Sequence, residues 1–119
     1  MDFFINKHSN FPELIMELIK DNHSDYEDFF EKIQTADIRF KMTDADTGMI
    51  KVPYRPAFCT SFDESNEYGI GYKFKDEDVD RAGTYIGQFI ISFIDSEDRL
   101  IVPIREELKI YVVDGTIKV

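Results

Sequence analysis

The run from Thr84 to Ile94 constrains the fold more than any other stretch of this chain. Successive side chains of a strand point to opposite faces, so Tyr85, Gly87, Phe89, Ile91 and Phe93 share one side and Ile86, Gln88, Ile90 and Ser92 the other. Both sides are largely apolar, which predicts a central strand or one that faces a partner. The same period of two recurs elsewhere. Ile38, Phe40 and Met42 alternate with Arg39 and Lys41; Tyr68, Ile70, Tyr72 and Phe74 alternate with Glu67, Gly69, Gly71 and Lys73; Leu108, Ile110 and Val112 are in phase. Gly69 and Gly71 leave one face bare, as expected where another element approaches closely. Shorter runs at Phe3 to Lys7, Met49 to Val52, Leu100 to Ile104 and Thr116 to Val119 also read as strands. Pro53 and Pro56 make the stretch through Tyr54 to Phe58 an edge strand or an irregular segment.

Turn-forming residues at Asp44 to Gly48, Asp76 to Gly83, Asp95 to Asp98 and Asp114-Gly115 separate these runs. About seven or eight short strands with such spacing predict an antiparallel β-sandwich. One helix interrupts the pattern. Ser24 with Glu27 forms a capping box, Asp25, Glu27 and Asp28 suit the positive end of the helix dipole, and Tyr26, Phe29, Phe30 and Ile33 make an apolar stripe over 24–33. The run Glu13 to Lys20 satisfies two patterns. Asn10 and Pro12 suit a helix start with Leu14, Ile15, Leu18 and Ile19 on one face, whereas period two places Leu14, Met16 and Leu18 together. Local rules slightly favour the helix.

A chain of 119 residues with 43% hydrophobic residues supports one domain, 1–119, with its own core. Eleven Phe, six Tyr and no Trp fit strands that pack flat rings on a pleated surface. The formal net charge of −10 repels phosphate backbones and anionic membranes, so neither nucleic acid nor a membrane is an expected partner. Cys59 is the single cysteine and leaves no internal disulfide to form. The first residues lack the pattern of a signal peptide, and no apolar run approaches the roughly 20 residues of a membrane span, so synthesis in a cytoplasm is expected.

Chemistry-bearing patterns are sparse. Asp44, Asp46 and Thr47 before Gly48 lack the third acid and distant Glu of an EF-hand loop and read as a solvated hairpin loop. Asp76, Glu77, Asp78 and Asp80 read as a solvated charge run. Cys59 with His8 or His23 is the only Cys/His combination, and no orienting group marks it as a nucleophile and base. No acid pair stands out, and no glycine cluster precedes a helix as in a phosphate loop. The expectation is therefore a protein that is not an enzyme, with no catalytic, metal or cofactor site. Surface suited to protein contact is more evident. Phe3, Phe4, Ile5 and Phe11 lie in a terminal segment, 1–11, that a minimal sandwich does not need, and Ile86 and Ile90 make the second face of the central strand apolar. Read as an extended arm, 1–11 would be removable without unfolding the domain.

Several runs in order resemble a known family. Phe3-Phe4-Ile5-Asn6-Lys7, a turn at Pro12, Leu14 to Asp21, the strand Ile38 to Met42 with its Asp/Gly turn, Ala82-Gly83-Thr84-Tyr85-Ile86-Gly87-Gln88-Phe89, and Pro103 through Leu108 to Ile110 are similar to the baseplate-upper-protein type of phage structural domain. The variant looks most like short virion proteins of large gut phages, including the crAss-like group. The resemblance implies an immunoglobulin-like β-sandwich, a strand at Leu14 to Lys20, and a role as a virion adaptor at a head fibre, capsid decoration, tail or baseplate. The implied partners are other phage structural proteins, with self-association into a dimer or larger oligomer also expected. The inserted helix at 24–33 departs from the short turn expected there. A carbohydrate- or small-ligand-binding sandwich, with Tyr54, Tyr68 and Tyr72 as an aromatic platform, is the alternative.

Overall fold

The run with two apolar faces becomes a ten-residue strand at the centre of the larger of two sheets. The computed structural model describes residues 1–18, 33–62, 67–94, 96–103 and 106–114. Among these, the strands are β1 (Asp2–Asn6), β2 (Leu14–Leu18), β3 (Asp37–Asp44), β4 (Ile50–Pro56), β5 (Phe58–Phe62), β6 (Glu67–Tyr72), β7 (Gly83–Ser92), β8 (Arg99–Val102) and β9 (Leu108–Val113), with a 3-10 helix at Asp76–Val79. The larger sheet runs β1-β9-β7-β3-β4, and β8 continues the β9 edge of β7; the smaller sheet runs β2-β6-β5. Three strands facing a larger sheet centred on β7 and β3 form a β-sandwich.

Alternation builds the core between the sheets. Ile38, Phe40 and Met42 of β3, Tyr85, Phe89 and Ile91 of β7, and Leu108, Ile110 and Val112 of β9 are buried against Leu14, Met16, Ile70 and Tyr72 of the smaller sheet. Phe40 stacks on Tyr72 with ring centroids 4.5 Å apart and leans on Phe89 at 5.0 Å. Tyr85 donates its hydroxyl to the Arg81 carbonyl at 2.8 Å, a tyrosine corner at the entry to β7. In antibody domains a bridged cysteine lies two residues beyond that tyrosine. Here the position is Gly87, where an added Cβ would meet Ile110 Cδ1, Leu108 Cδ2 and Phe40 Cε1 at 2.8, 3.0 and 3.1 Å. Here side chains pack closely over a glycine.

β2 is a strand over Leu14–Leu18, against the local helix signals. Its register on β6 puts Leu14 and Met16 in the core, whereas Ile15 is only half-buried above Gly71. The helix expected over 24–33 lies outside the described residues except at its end, where residues 33–35 are helical and Ile33 is fully buried. The run Thr116 to Val119 also lies outside them.

Two expectations are corrected. The larger sheet is mixed, because β1 pairs parallel with β9. And 1–11 is not a free arm. Ile5 is 2% exposed, Phe3 stacks on Phe74 at 5.8 Å, and the Lys7 amide donates to the Val113 carbonyl at 2.7 Å. A segment that alternates inward Phe3 and Ile5 with outward Asp2, Phe4 and Asn6 finds its own sheet edge before any neighbour's.

Candidate interaction face and the acidic corner

Strand registers assemble the outer face of the larger sheet row by row. Phe4 lies beside Tyr111, and Tyr111 beside Thr84; Lys109 lies beside Ile86, and Ile86 beside Thr43; Gln88 lies beside Lys41; Ile90 lies between Arg39 and Ile101. The Phe4 and Tyr111 rings stack at 4.8 Å with planes 15° apart, while Phe4 remains 60% exposed. Ile101 is exposed and Ile86 half-buried. A stacked aromatic pair left in water is costly exposed area unless something covers it. Beside Ile86 and Gln88 a cavity of about 180 Å³ reaches Pro103, Glu106, Glu107 and Leu108, where β8 has ended and β9 begins, so its rim carries two carboxylates. That volume is below the roughly 300–1,000 Å³ of a small-molecule site and nearer the size of one side chain.

A bulge delivers Tyr54 to this face. The β3–β4 register slips between Phe40 and Met42, and Tyr54 takes a left-handed φ of 36°, rare for an aromatic residue. Lys41 lies over the Tyr54 ring at 5.2 Å from its centre, and Arg39 donates to the Tyr54 carbonyl at 3.4 Å. These contacts help hold a conformation that the backbone alone disfavours.

At the corner before β7 the run 76–80, expected to be a solvated face, is exposed at Asp76, Glu77 and Asp80 but buries Asp78. Asp78 is 1% exposed. Its Oδ2 accepts from the Tyr72 hydroxyl at 2.6 Å and from the Lys75 amide at 2.9 Å, and its Oδ1 lies 3.9 Å from the Arg55 guanidinium. Arg55 also donates to Glu77 at 2.9 Å, Lys51 pairs with Asp80, and His8 Nδ1 lies 2.8 Å from Asp76. Burial first, and then the Asp78 carboxylate, pushes the Tyr72 hydroxyl well above the ordinary tyrosine range. Lys51 pulls Asp80 below the ordinary carboxylate range. Every carboxylate of the run thus has a cation or His8 beside it, tying the β1–β2 turn, β4 and β6 to this corner.

The expected contact residues divide. Phe4 and Phe11 are exposed, and Ile86 is half-buried on the outer face; Phe3 is half-buried against the core; Ile5 and Ile90 are buried, at 2% and 8% exposed. Ile5 therefore contributes to the fold and not to a surface. Tyr111, Ile101, Lys41 and Lys109 were not anticipated. Their signal was the outward phase of strands whose inward phase is apolar. The aromatic platform does not assemble: Tyr54 is exposed but Tyr72 is buried on Asp78, and the Tyr68 side chain lies outside the described residues. Cys59 is half-buried on β5, and burial raises its thiol pKa. Among the described residues no cluster of three or more His, Cys, Asp or Glu is arranged to hold a metal ion, and no helix is long and apolar enough to cross a membrane.

Comparison with models of known families, with curated proteins and with solved structures gives no match.

Proposed function

We propose that this domain is a structural adaptor of a tailed-phage virion, attaching one particle protein to another at a head fibre, capsid decoration, tail or baseplate. The observation that carries the attachment role is the exposed Phe4–Tyr111 stack on the outer face of the larger sheet, continued by Ile86 and Ile101. Exposed aromatic and aliphatic side chains set among polar ones on one sheet face have the composition of an interface. The placement in a virion rests on the ordered runs from Phe3 to Ile110 that resemble baseplate-upper-protein-type domains. Mass spectrometry of gradient-purified particles of the source phage tests it directly. Recovery of the chain in constant ratio to the major capsid protein is expected. Its absence from intact particles, with presence in the infected-cell lysate, would remove the virion role.

A further inference from the structure

The larger sheet ends in β4 on one side and β1 on the other. β4 is guarded against further pairing, since it carries Pro53 and Pro56 and slips register against β3. β1 has no such guard. Its residues, Asp2-Phe3-Phe4-Ile5-Asn6, include no proline or lysine and pair with β9 without a bulge; among the described residues no strand takes its other edge. Two bonds fix which groups face that edge. The Met1 carbonyl accepts from the Lys109 amide at 2.9 Å, and the Lys7 amide donates to the Val113 carbonyl at 2.7 Å. Amide and carbonyl of one strand residue point to the same side, and the side alternates along the chain. Met1, Phe3, Ile5 and Lys7 therefore turn to β9, and Asp2, Phe4 and Asn6 present their amides and carbonyls outward. The Asn6 carbonyl accepts from the Ser9 amide at 3.0 Å, which leaves the rest open to a further strand.

We infer that this edge pairs with the same edge of a second copy, antiparallel, about a two-fold axis at Phe4. The order of residues is self-complementary there. Phe4 meets Phe4, Phe3 meets Ile5, and the Asp2 carboxylate meets the Asn6 side-chain amide. The two Phe4 residues exchange amide-to-carbonyl bonds, and each Asn6 amide donates to the Asp2 carbonyl of the other copy. Phe4, now 60% exposed, gains an aromatic neighbour on its open side, so the Phe4–Tyr111 stack extends across the axis as one row of rings. Asp2 lies beside Lys109 within each copy, so its charge is opposed. Moving the axis by one residue sets Phe4 against Asp2 or Asn6 and loses the match. The strand of a different protein would require none of this symmetry. The pairing does not depend on the virion role.

The test is amide hydrogen exchange on the full isotope-labelled chain, dilute at low salt and concentrated at about 1 M salt, where charge repulsion between copies is screened. Light scattering on the same samples reports the mass. In the dilute monomer the Phe3, Ile5 and Lys7 amides are expected to be protected by β9 while those of Phe4 and Asn6 exchange freely. In the dimer the Phe4 and Asn6 amides become protected too. Phe4→Lys sets two like charges against each other on the axis and should raise the dimer dissociation constant by about tenfold or more. Retained protection at Phe3, Ile5 and Lys7 verifies that β1 of the variant stays on β9. A monomer under all conditions, a dimer that leaves the Phe4 and Asn6 amides open, or an unaffected Phe4→Lys dimer would overturn the inference. So would protection of the Phe4 and Asn6 amides in the dilute monomer, which would mean that another segment of the same chain covers this edge.

Discussion

Asp78 is buried although its neighbours in sequence are all polar or charged except Val79. A carboxylate in that position is tolerated because the Tyr72 hydroxyl and Lys75 amide bond one oxygen and the Arg55 charge lies near the other. The arrangement has a consequence at high pH. Tyr72 is shifted upward by burial and by Asp78, and Tyr85 upward by burial. Above about pH 10 the unfolded chain releases these protons while the folded chain keeps them, so the native state binds more protons and its stability falls as pH rises. Below pH 10 both states hold the protons and the contribution is constant. Each group that stays protonated in the fold steepens the alkaline loss by up to about 1.4 kcal/mol per pH unit. Urea unfolding between pH 8 and 11, in a Cys59→Ala background that removes the shifted thiol, should show this limb. Tyr72→Phe should lower stability at pH 8 yet flatten the limb. An unchanged limb would mean that the fold does not hold the Tyr72 proton more tightly than the unfolded chain does, against its burial beside Asp78.

Strands fix what their glycines and termini tolerate. At Gly71 of β6 an added Cβ would come 2.6 Å from Ile15 Cδ1, 2.7 Å from Phe58 Cζ and 2.8 Å from the Leu14 carbonyl. The two side chains can turn, but the carbonyl belongs to a paired strand and cannot. At Gly87 the close atoms are all side-chain ends. Gly71→Ala should therefore cost about 2 kcal/mol in chemical denaturation, and Gly87→Ala less. β1 gives a second prediction. Removing residues 1–11 takes Ile5 from the core, uncovers Phe74 beneath Phe3, and leaves β9 an unpaired edge. A large fall in melting temperature or loss of cooperative unfolding by circular dichroism is expected, contrary to the behaviour of a free arm. Period two made β3, β6 and β9 legible, because each alternates over its length, and β7 was legible as a long run apolar on both faces. β2 was not legible locally, since Leu14, Ile15 and Leu18 suit a helix equally well and only pairing with β6 decides. The outer face was half legible. Ile86 announced itself on β7, but the Phe4–Tyr111 stack depends on a parallel pairing between strands at opposite ends of the sequence. No local pattern encodes that pairing, nor the Tyr72 and Arg55 contacts that bury Asp78.

At the scale of the whole molecule, the sign of charge separates self-association from attachment to a partner. The net charge of −10 pushes copies apart. Salt screens that repulsion, with a Debye length falling from about 30 Å at 0.01 M to about 3 Å at 1 M. Apolar contact through exposed Phe4 and Ile101 and half-buried Tyr111 is untouched by that screening and gains from it indirectly. Size-exclusion chromatography with light scattering should therefore find a monomer at low salt, with any dimer appearing only as salt and protein concentration rise together. A partner of opposite charge behaves oppositely, because screening removes an attraction, and its complex should weaken over the same range. A dimer that is present at low salt and dissociates on adding salt would mean that an acidic surface of one copy meets cations elsewhere on the next. Such a contact is heterologous and either closes into a ring or grows without limit. The mass distribution at low salt then distinguishes the two, a single discrete species for a ring and a concentration-dependent ladder for an open chain.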